Sequence, residues 1–369
     1  MILDFFISIL AFVVVISVVV FVHEFGHYLI AKLNGVKIES FSIGFGKEIF
    51  SWIDKSGTRW LISWLPFGGY VKMFGDKDAS SSSRNVELVK SMSDEDKKKC
   101  LQFKSPLVKI SVAFAGPFFN FLLAIAILIP LYSIKGMTTI KPIITEIIKN
   151  SPAEKYDFNI GDEVLEVNNK NIETFDDVRL LIALSVDDSI NFKIRRNEEI
   201  VYKNVSPVVT VKKDIFGNEI KINFVGIASN KLEFKKLSFI DSIYESVGAV
   251  YNMCKTTLTA VWQMITLKRG TDGLSGPIKI AKYSGQYFKN GIVNALMFIV
   301  LISTSLGVMN LLPIPILDGG LIFLCIVEIL FRKQLSERCE KYVSTLGYVV
   351  LVILMVFATV KDIKDVIFG

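Results

Sequence analysis

Histidine is almost missing from this chain. Its 369 residues include two, His23 and His27, four positions apart. Chemistry that needs imidazole therefore has one place to happen. Cysteine is sparse as well: Cys100, Cys254, Cys325 and Cys339 are scattered without paired spacing, which excludes a disulfide framework and a zinc ribbon. Charge is missing regionally. Residues 5–22, 110–134, 291–317 and 342–360 carry none, over 18, 25, 27 and 19 positions. Each run is long enough to cross a hydrocarbon layer of about 30 Å at ~1.5 Å per residue. Clustering of the apolar residues, 51% of the chain, into such runs excludes an ordinary soluble fold and predicts four transmembrane helices. Only Asp4 precedes the first run, and no small-x-small cleavage site follows it, so it reads as a retained helix and not a signal peptide.

The net charge of +6 is spread over membrane-flanking loops, which suits lipid headgroups and argues against nucleic acid. Thirteen Lys and Arg lie in residues 32–104 and four in residues 331–341. Cytoplasmic retention of positive charge puts both segments inside, and the termini and the long middle segment outside.

The expected organisation follows. Residues 1–37 form the first span. Residues 38–75 form a membrane-associated β-hairpin or sheet, because Phe41, Ile43, Ile49, Trp52, Trp60, Ile62 and Trp64 favour strands around the turn Asp54-Lys55-Ser56-Gly57. Residues 76–105, Ser-rich and of mixed charge, read as a flexible cytoplasmic loop. Residues 106–135 are the second span. Residues 136–230 alternate β-patterned runs with turns around one helix at 176–184, a compact α+β domain inserted outside the membrane. Residues 231–290 read as amphipathic helices at the outer face, with Trp262, Lys268 and Arg269 suited to an interface. A third span and a polar element fill 291–331, and a cytoplasmic link with a fourth span fills 332–369.

His23-Glu24-Phe25-Gly26-His27 closes the first apolar run. Residues four apart share one helix face, so both imidazoles can reach one ion. Zinc accepts imidazole nitrogen and in catalytic sites keeps one position open for water. Glu24, beside the first ligand, can take a proton from that water. Two satisfied core histidines would be the bland reading of this spacing on a soluble helix. At the end of a membrane span, three ionisable groups need a partner, which favours the metal. A third ligand is required, and Asp318 fits: it is the only charge between Lys289 and Glu328. Pro313 and Pro315 precede it and break the helix, which membranes tolerate where the freed backbone lines a cavity or is buried in protein. Asp318 could also be the N-cap of the helix that follows.

These elements together resemble the site-2 protease family, in its bacterial regulator-of-sigma-factor branch. The resemblance rests on His23–His27, Leu317-Asp318-Gly319 after Asn310 and Pro313, Gly116-Pro117-Phe118-Phe119-Asn120, Pro66-Phe67-Gly68-Gly69-Tyr70-Val71-Lys72-Met73 and Leu274-Ser275-Gly276-Pro277-Ile278. It implies an intramembrane zinc protease acting on single-span membrane proteins in a bacterial cytoplasmic membrane, such as anti-sigma factors or remnant signal peptides. It further implies His23, His27 and Asp318 as zinc ligands, Glu24 as general base, the 38–75 region presenting substrate, and Asn120 and Asn310 near the substrate or the oxyanion. Gly68 and Gly69 would allow close backbone approach. The inserted domain resembles a PDZ module in Ser151-Pro152-Ala153 and residues 161–168, with Asp157 standing where that family usually has Gly. Two rival functions remain open at this point: an ion transporter, favoured by broken helices, and a non-catalytic PDZ-bearing receptor.

Overall fold

A computed structural model of the chain describes residues 2–78, 81–84, 92–213, 219–268, 270–271, 275–333 and 337–368. The helices longer than one turn are α1 (Ile2–Leu33), α2 (Pro106–Lys135), α3 (Phe175–Leu184), α4 (Phe239–Ile265), α5 (Pro277–Lys289), α6 (Ile292–Asn310), α7 (Asp318–Phe331) and α8 (Glu337–Phe368). The strands are β1 (Ile38–Ile53), β2 (Arg59–Met73), β3 (Asp76–Asp78), β4 (Ser81–Arg84), β5 (Met137–Ile140), β6 (Glu146–Ile147), β7 (Glu163–Val167), β8 (Lys170–Asn171), β9 (Ile190–Arg196), β10 (Glu199–Val205), β11 (Val208–Lys213), β12 (Glu219–Phe224), β13 (Ile227–Ala228) and β14 (Leu232–Lys235). Among the described residues, four helices are long and apolar enough to cross a membrane: Leu3–Leu33, Pro106–Lys135, Ile292–Asn310 and Thr345–Lys364. The chain divides into two compact units, residues 1–128, 247–254 and 276–369, and residues 129–246 and 255–275.

In the first unit α1 is apolar all round, so its buried face is set by packing. Ala11, Val15, Val19, His23, His27 and Ala31 recur every four residues and all are buried, while Leu3, Phe5, Phe6 and Leu10 are exposed. A matching stripe runs along α2, where Val112, Gly116, Asn120, Ala124 and Leu128 are buried. Small residues on these stripes let helix backbones approach closely.

The β-region is more folded than a simple hairpin. Residues 38–43 of β1 pair with both ends of β2, so that Ile43 faces Ile62 on one side and Gly69 on the other. Residues 48–53 then add to the far side of 59–62. The result is a mixed sheet of four segments, with 40–43 running parallel to 59–62, the other neighbours antiparallel, and 69–73 at one edge. Asp54 organises the expected turn: its Oδ1 accepts from the amides of Ser56 and Thr58 and from Ser56 Oγ, and its Oδ2 accepts from Trp60 Nε1 at 3.1 Å and Tyr28 Oη of α1 at 3.3 Å.

Residues 76–105 depart from the expected flexible loop. A short β3–β4 hairpin opens them, and Ser93 caps a single helical turn at Asp94–Lys97. Cys100 is fully buried, and the Lys37 amide donates to the Lys99 carbonyl. Buried apolar contact and backbone bonds back to the β-region order this part, where composition alone suggested a solvated linker. Residues 79–80 and 85–91 of that loop lie outside the described residues, as do Arg269 and Leu274.

The second unit has a four-stranded antiparallel sheet in the order β10-β9-β7-β8, covered by α3. Phe158, Val164, Val167, Phe175, Val178, Phe192 and Ile194 form its core. A capping box between Thr174 and Asp177 starts α3, and Asp157 takes the left-handed backbone conformation at φ 53°. Asp162 is buried and accepts two hydrogen bonds from Arg196, at 2.8 and 2.7 Å. The unit extends past the boundary expected at Asn230, because β14 pairs with β5, Lys235 opposite Met137. β14 is four residues long and exposed throughout, too short for its Leu-Glu-Phe-Lys alternation to mark a strand.

Candidate metal centre

His23 and His27 lie on the buried stripe of α1 with ring centroids 4.7 Å apart, nearly perpendicular to each other at 85°. Asp318 faces both: its Oδ2 is 3.2 Å from His23 Nε2 and its Oδ1 is 3.3 Å from His27 Nε2. One ligand atom from each of the three falls within 4.8 Å of the others.

The placement of Asp318 follows from the broken helix before it. α6 ends at Asn310, well inside the uncharged run that looked like one span. Residues 311–317 turn, with Ile316 held at φ 85°, a strained conformation for a β-branched residue of the kind that collects at functional sites. Leu317, and not Asp318, is the N-cap of α7, which leaves the Asp318 carboxylate on the first helical residue. There the helix dipole favours negative charge. Gly319 and Gly320 permit the tight fold-back, since a Cβ at either would stand 2.3–2.4 Å from the carbonyl oxygens of Leu311 or Ile314.

The histidines are held from behind by α2. His27 Nδ1 lies 2.8 Å from the Val112 carbonyl oxygen, which fixes the proton on Nδ1 and turns Nε2 towards Asp318. His23 Nδ1 lies 3.2 Å from the Asn120 side chain. Asn120 is fully buried, and its Oδ1 has no hydrogen-bond partner among the described residues. Exchanging the amide's oxygen and nitrogen gives that oxygen the Nδ1–H of His23, leaving Nε2 for a metal. Two imidazole nitrogens and a carboxylate converging on one point, with both rings oriented by the atoms behind them, fit the donor set of a catalytic zinc site.

The remaining candidates lie around this cluster. Asn310 Nδ2 is 3.4 Å from His23 Nε2, on the metal-facing side. Gly69, on the β2 edge, comes against the general-base candidate: a Cβ there would meet Glu24 Cγ at 3.2 Å and the Ser42 carbonyl oxygen at 2.7 Å. Gly68 takes φ 125° with its open side against the Phe45 ring. Asn120, expected near a substrate, stands instead behind His23. Two more residues complete the centre: Val112, which nothing in the sequence marked, through its carbonyl, and Gly116, marked only by the family resemblance, whose hydrogen faces both imidazoles.

Residues 11–354 match the model of Peptidase family M50. The chain belongs to that family, the site-2 proteases. It is similar to proteins whose names read "Putative zinc metalloprotease" from Rickettsia conorii, at 36% identity over 97% of this chain and 99% of the relative, and from Agrobacterium fabrum, at 33% over 97% and 96%. A third, from Clostridium perfringens, is 33% identical over 94% and 96%. This M50 protein is accordingly a membrane protein and a zinc metalloprotease, which removes the transporter and receptor readings.

Proposed function

We propose that this M50 protease hydrolyses peptide bonds within or beside the transmembrane segments of single-span membrane proteins. In this reading His23, His27 and Asp318 are the zinc ligands and Glu24 is the general base. One observation carries it: the ligand set closes on the buried face of α1, inside a helix of membrane-spanning length. Bound zinc supplies Lewis acidity towards the scissile carbonyl. Glu24 takes a proton from the attacking water and returns it to the leaving amine. Asn310 offers an amide donor to the oxygen that gains charge. Asn120 and the Val112 carbonyl hold the imidazoles in register.

A substrate helix must unwind before it can be cut, which frees backbone groups that a membrane does not satisfy. Residues 69–73 pair with β1 on one side only among the described residues, so their other edge can take up an extended substrate by strand addition. The Gly68-Gly69 pair brings that strand beside Glu24. The substrates would be single-span chains already trimmed outside, such as anti-sigma factors or remnant signal peptides. The bacterial relatives and the charge of the loops suit a cytoplasmic membrane, with both termini and the inserted unit outside. That unit is read as PDZ-like on its Ser151-Pro152-Ala153 turn and the strand that follows Asp162, and α4 and α5 as helices at the outer face. Reconstitution with candidate single-span chains, with cut sites mapped by mass spectrometry, tests the reading. Cuts inside the apolar segment, absent with Glu24→Gln, are expected; cuts confined to soluble segments remote from the span would refute it.

A further inference from the structure

Lys104, Pro106, Lys109, Glu328, Arg332 and Lys333 line a cavity of about 240 Å³ where α2 begins and α7 ends. Four cations meet one carboxylate there, a surplus of three positive charges. The cluster is more than the fringe of Lys and Arg that flanks membrane spans. Arg332 and Lys333 are exposed and fit that description, but Lys109 lies one turn inside α2 and is 8% exposed. It is buried under protein and does not reach out to the surface as a flanking lysine would. Glu328, 9% exposed, is its counter-charge, yet the charged atoms are 3.8 Å apart, beyond hydrogen-bonding distance. On the cavity wall the Lys109 ammonium has room for a closer acceptor than that ion pair supplies.

We propose that this cavity binds the phosphate group of an anionic phospholipid. Its oxygens would accept from Lys109 and Lys104 at the inner end and from the Arg332 fork at the mouth, where planar geometry suits two phosphate oxygens at once. Basic pockets between membrane helices take such headgroups. A lipid is preferred to free phosphate because apolar surface adjoins the cations on both helices. Leu107 next to Pro106 is 71% exposed, and Leu330 and Phe331 before Arg332 are each 74% exposed, which offers acyl chains a place to lie. The inference assumes that α2 and α7 are embedded in lipid. It has a consequence for the centre, since α2 carries Val112, Gly116 and Asn120 and α7 carries Asp318. A phosphate joining their ends would tie together the two helices that hold the metal ligands in place.

The test uses the full-length protein in a neutral detergent, with native mass spectrometry and thermal unfolding as readouts. Dioleoylphosphatidylglycerol, dioleoylphosphatidylcholine and inorganic phosphate are titrated separately. One phosphatidylglycerol should bind saturably and raise the unfolding temperature, with little response to the other two. Arg332→Gln/Lys333→Gln, two exposed positions, should weaken that binding about tenfold, whereas Lys98→Gln/Lys99→Gln, an exposed pair elsewhere, should not. Equal weakening in both double variants, or equal binding of phosphatidylcholine, would overturn the site. A response to inorganic phosphate as strong as to phosphatidylglycerol would overturn the lipid assignment.

Discussion

Gly116 of α2 faces His27 of α1 so closely that a Cβ in place of its hydrogen would stand 2.3 Å from the imidazole Nε2 and 2.7 Å from Cε1 of His23. Neither ring can readily give way, because Val112 and Asn120 hold both from behind. Gly116→Ala should therefore lower zinc affinity by roughly tenfold or more, in the range seen when groups supporting a metal ligand are removed. Zinc retained against a graded series of chelators gives the answer. Wild-type retention would mean the rings have slack.

The ligand and base assignments separate in one comparison. Glu24→Gln should keep zinc at full stoichiometry and lose cleavage by about 10²–10⁴-fold or more. His23→Ala, His27→Ala and Asp318→Ala should lose both. Metal content measured beside activity distinguishes the classes, and an Asp318→Ala protein that holds zinc and cuts normally would show that another group completes the site.

Gly69 tests the strand edge without touching the metal. A Cβ at this position would press on the Ser42 carbonyl at 2.7 Å and on Glu24 Cγ at 3.2 Å. With backbone on one side, the yielding groups are the side chains of Val20, whose Cγ1 would be 3.1 Å away, and Glu24. Gly69→Ala should lower kcat with zinc unchanged, and the same change at Gly57, where nothing lies within 4 Å but φ is 83°, should strain the turn and leave kcat alone. Equal effects of the two would indicate a general loss of sheet stability.

His-Glu-x-x-His was legible because helix geometry alone puts residues four apart on one face, and Asp318 because a lone charge in an apolar run needs a reason. What packs behind them was not. The Val112 carbonyl is a backbone atom present at every residue, and Gly116 acts by having no side chain, so neither leaves a chemical signature. The end of α6 at Asn310 was hidden for a related reason: absence of charge continues across the break, and only the two prolines marked it. The double pairing of residues 38–43 is tertiary. Alternation shows that a segment is a strand and not how many neighbours it has.

Asp76 gives the β-region a pH dependence. Burial pushes its carboxyl up to about 7, against the hydrogen bonds it accepts from the Met73 amide and Gln102 Nε2. A carboxyl whose folded value lies above its unfolded value favours the folded state when protonated. Its contribution is therefore full at pH below about 4 and is lost as pH rises through 7. Three of the four tryptophans, Trp52, Trp60 and Trp64, lie in β1 and β2, so intrinsic fluorescence reports this region. Between pH 5 and 8 the fluorescence melting temperature should fall, and Asp76→Asn should flatten that slope. An unchanged slope in the variant would assign the pH dependence to other groups.

Most of the inserted unit can be excised as one segment, and doing so separates two roles for it. β5 and β14 bring Met137 opposite Lys235, so the ends of the 138–234 segment lie about 5 Å apart. Excising residues 138–234 and joining the ends with a short Gly-Ser bridge should leave the first unit's fold and zinc content unchanged. If the unit recruits substrates by gripping a newly exposed carboxyl terminus, the shortened enzyme loses its trimmed substrates. If it acts as a bulky gate, the shortened enzyme still cuts trimmed substrates and now also cuts full-length ones that the intact enzyme refuses. The gate is the simpler mechanism, because excluded volume requires a folded domain and no shaped pocket. This unit has its own core, a capped helix and a buried Asp162–Arg196 pair to keep it folded. The expected outcome is therefore gain of full-length substrates with trimmed ones retained. Loss of trimmed-substrate cleavage in a zinc-loaded shortened enzyme would decide for recruitment.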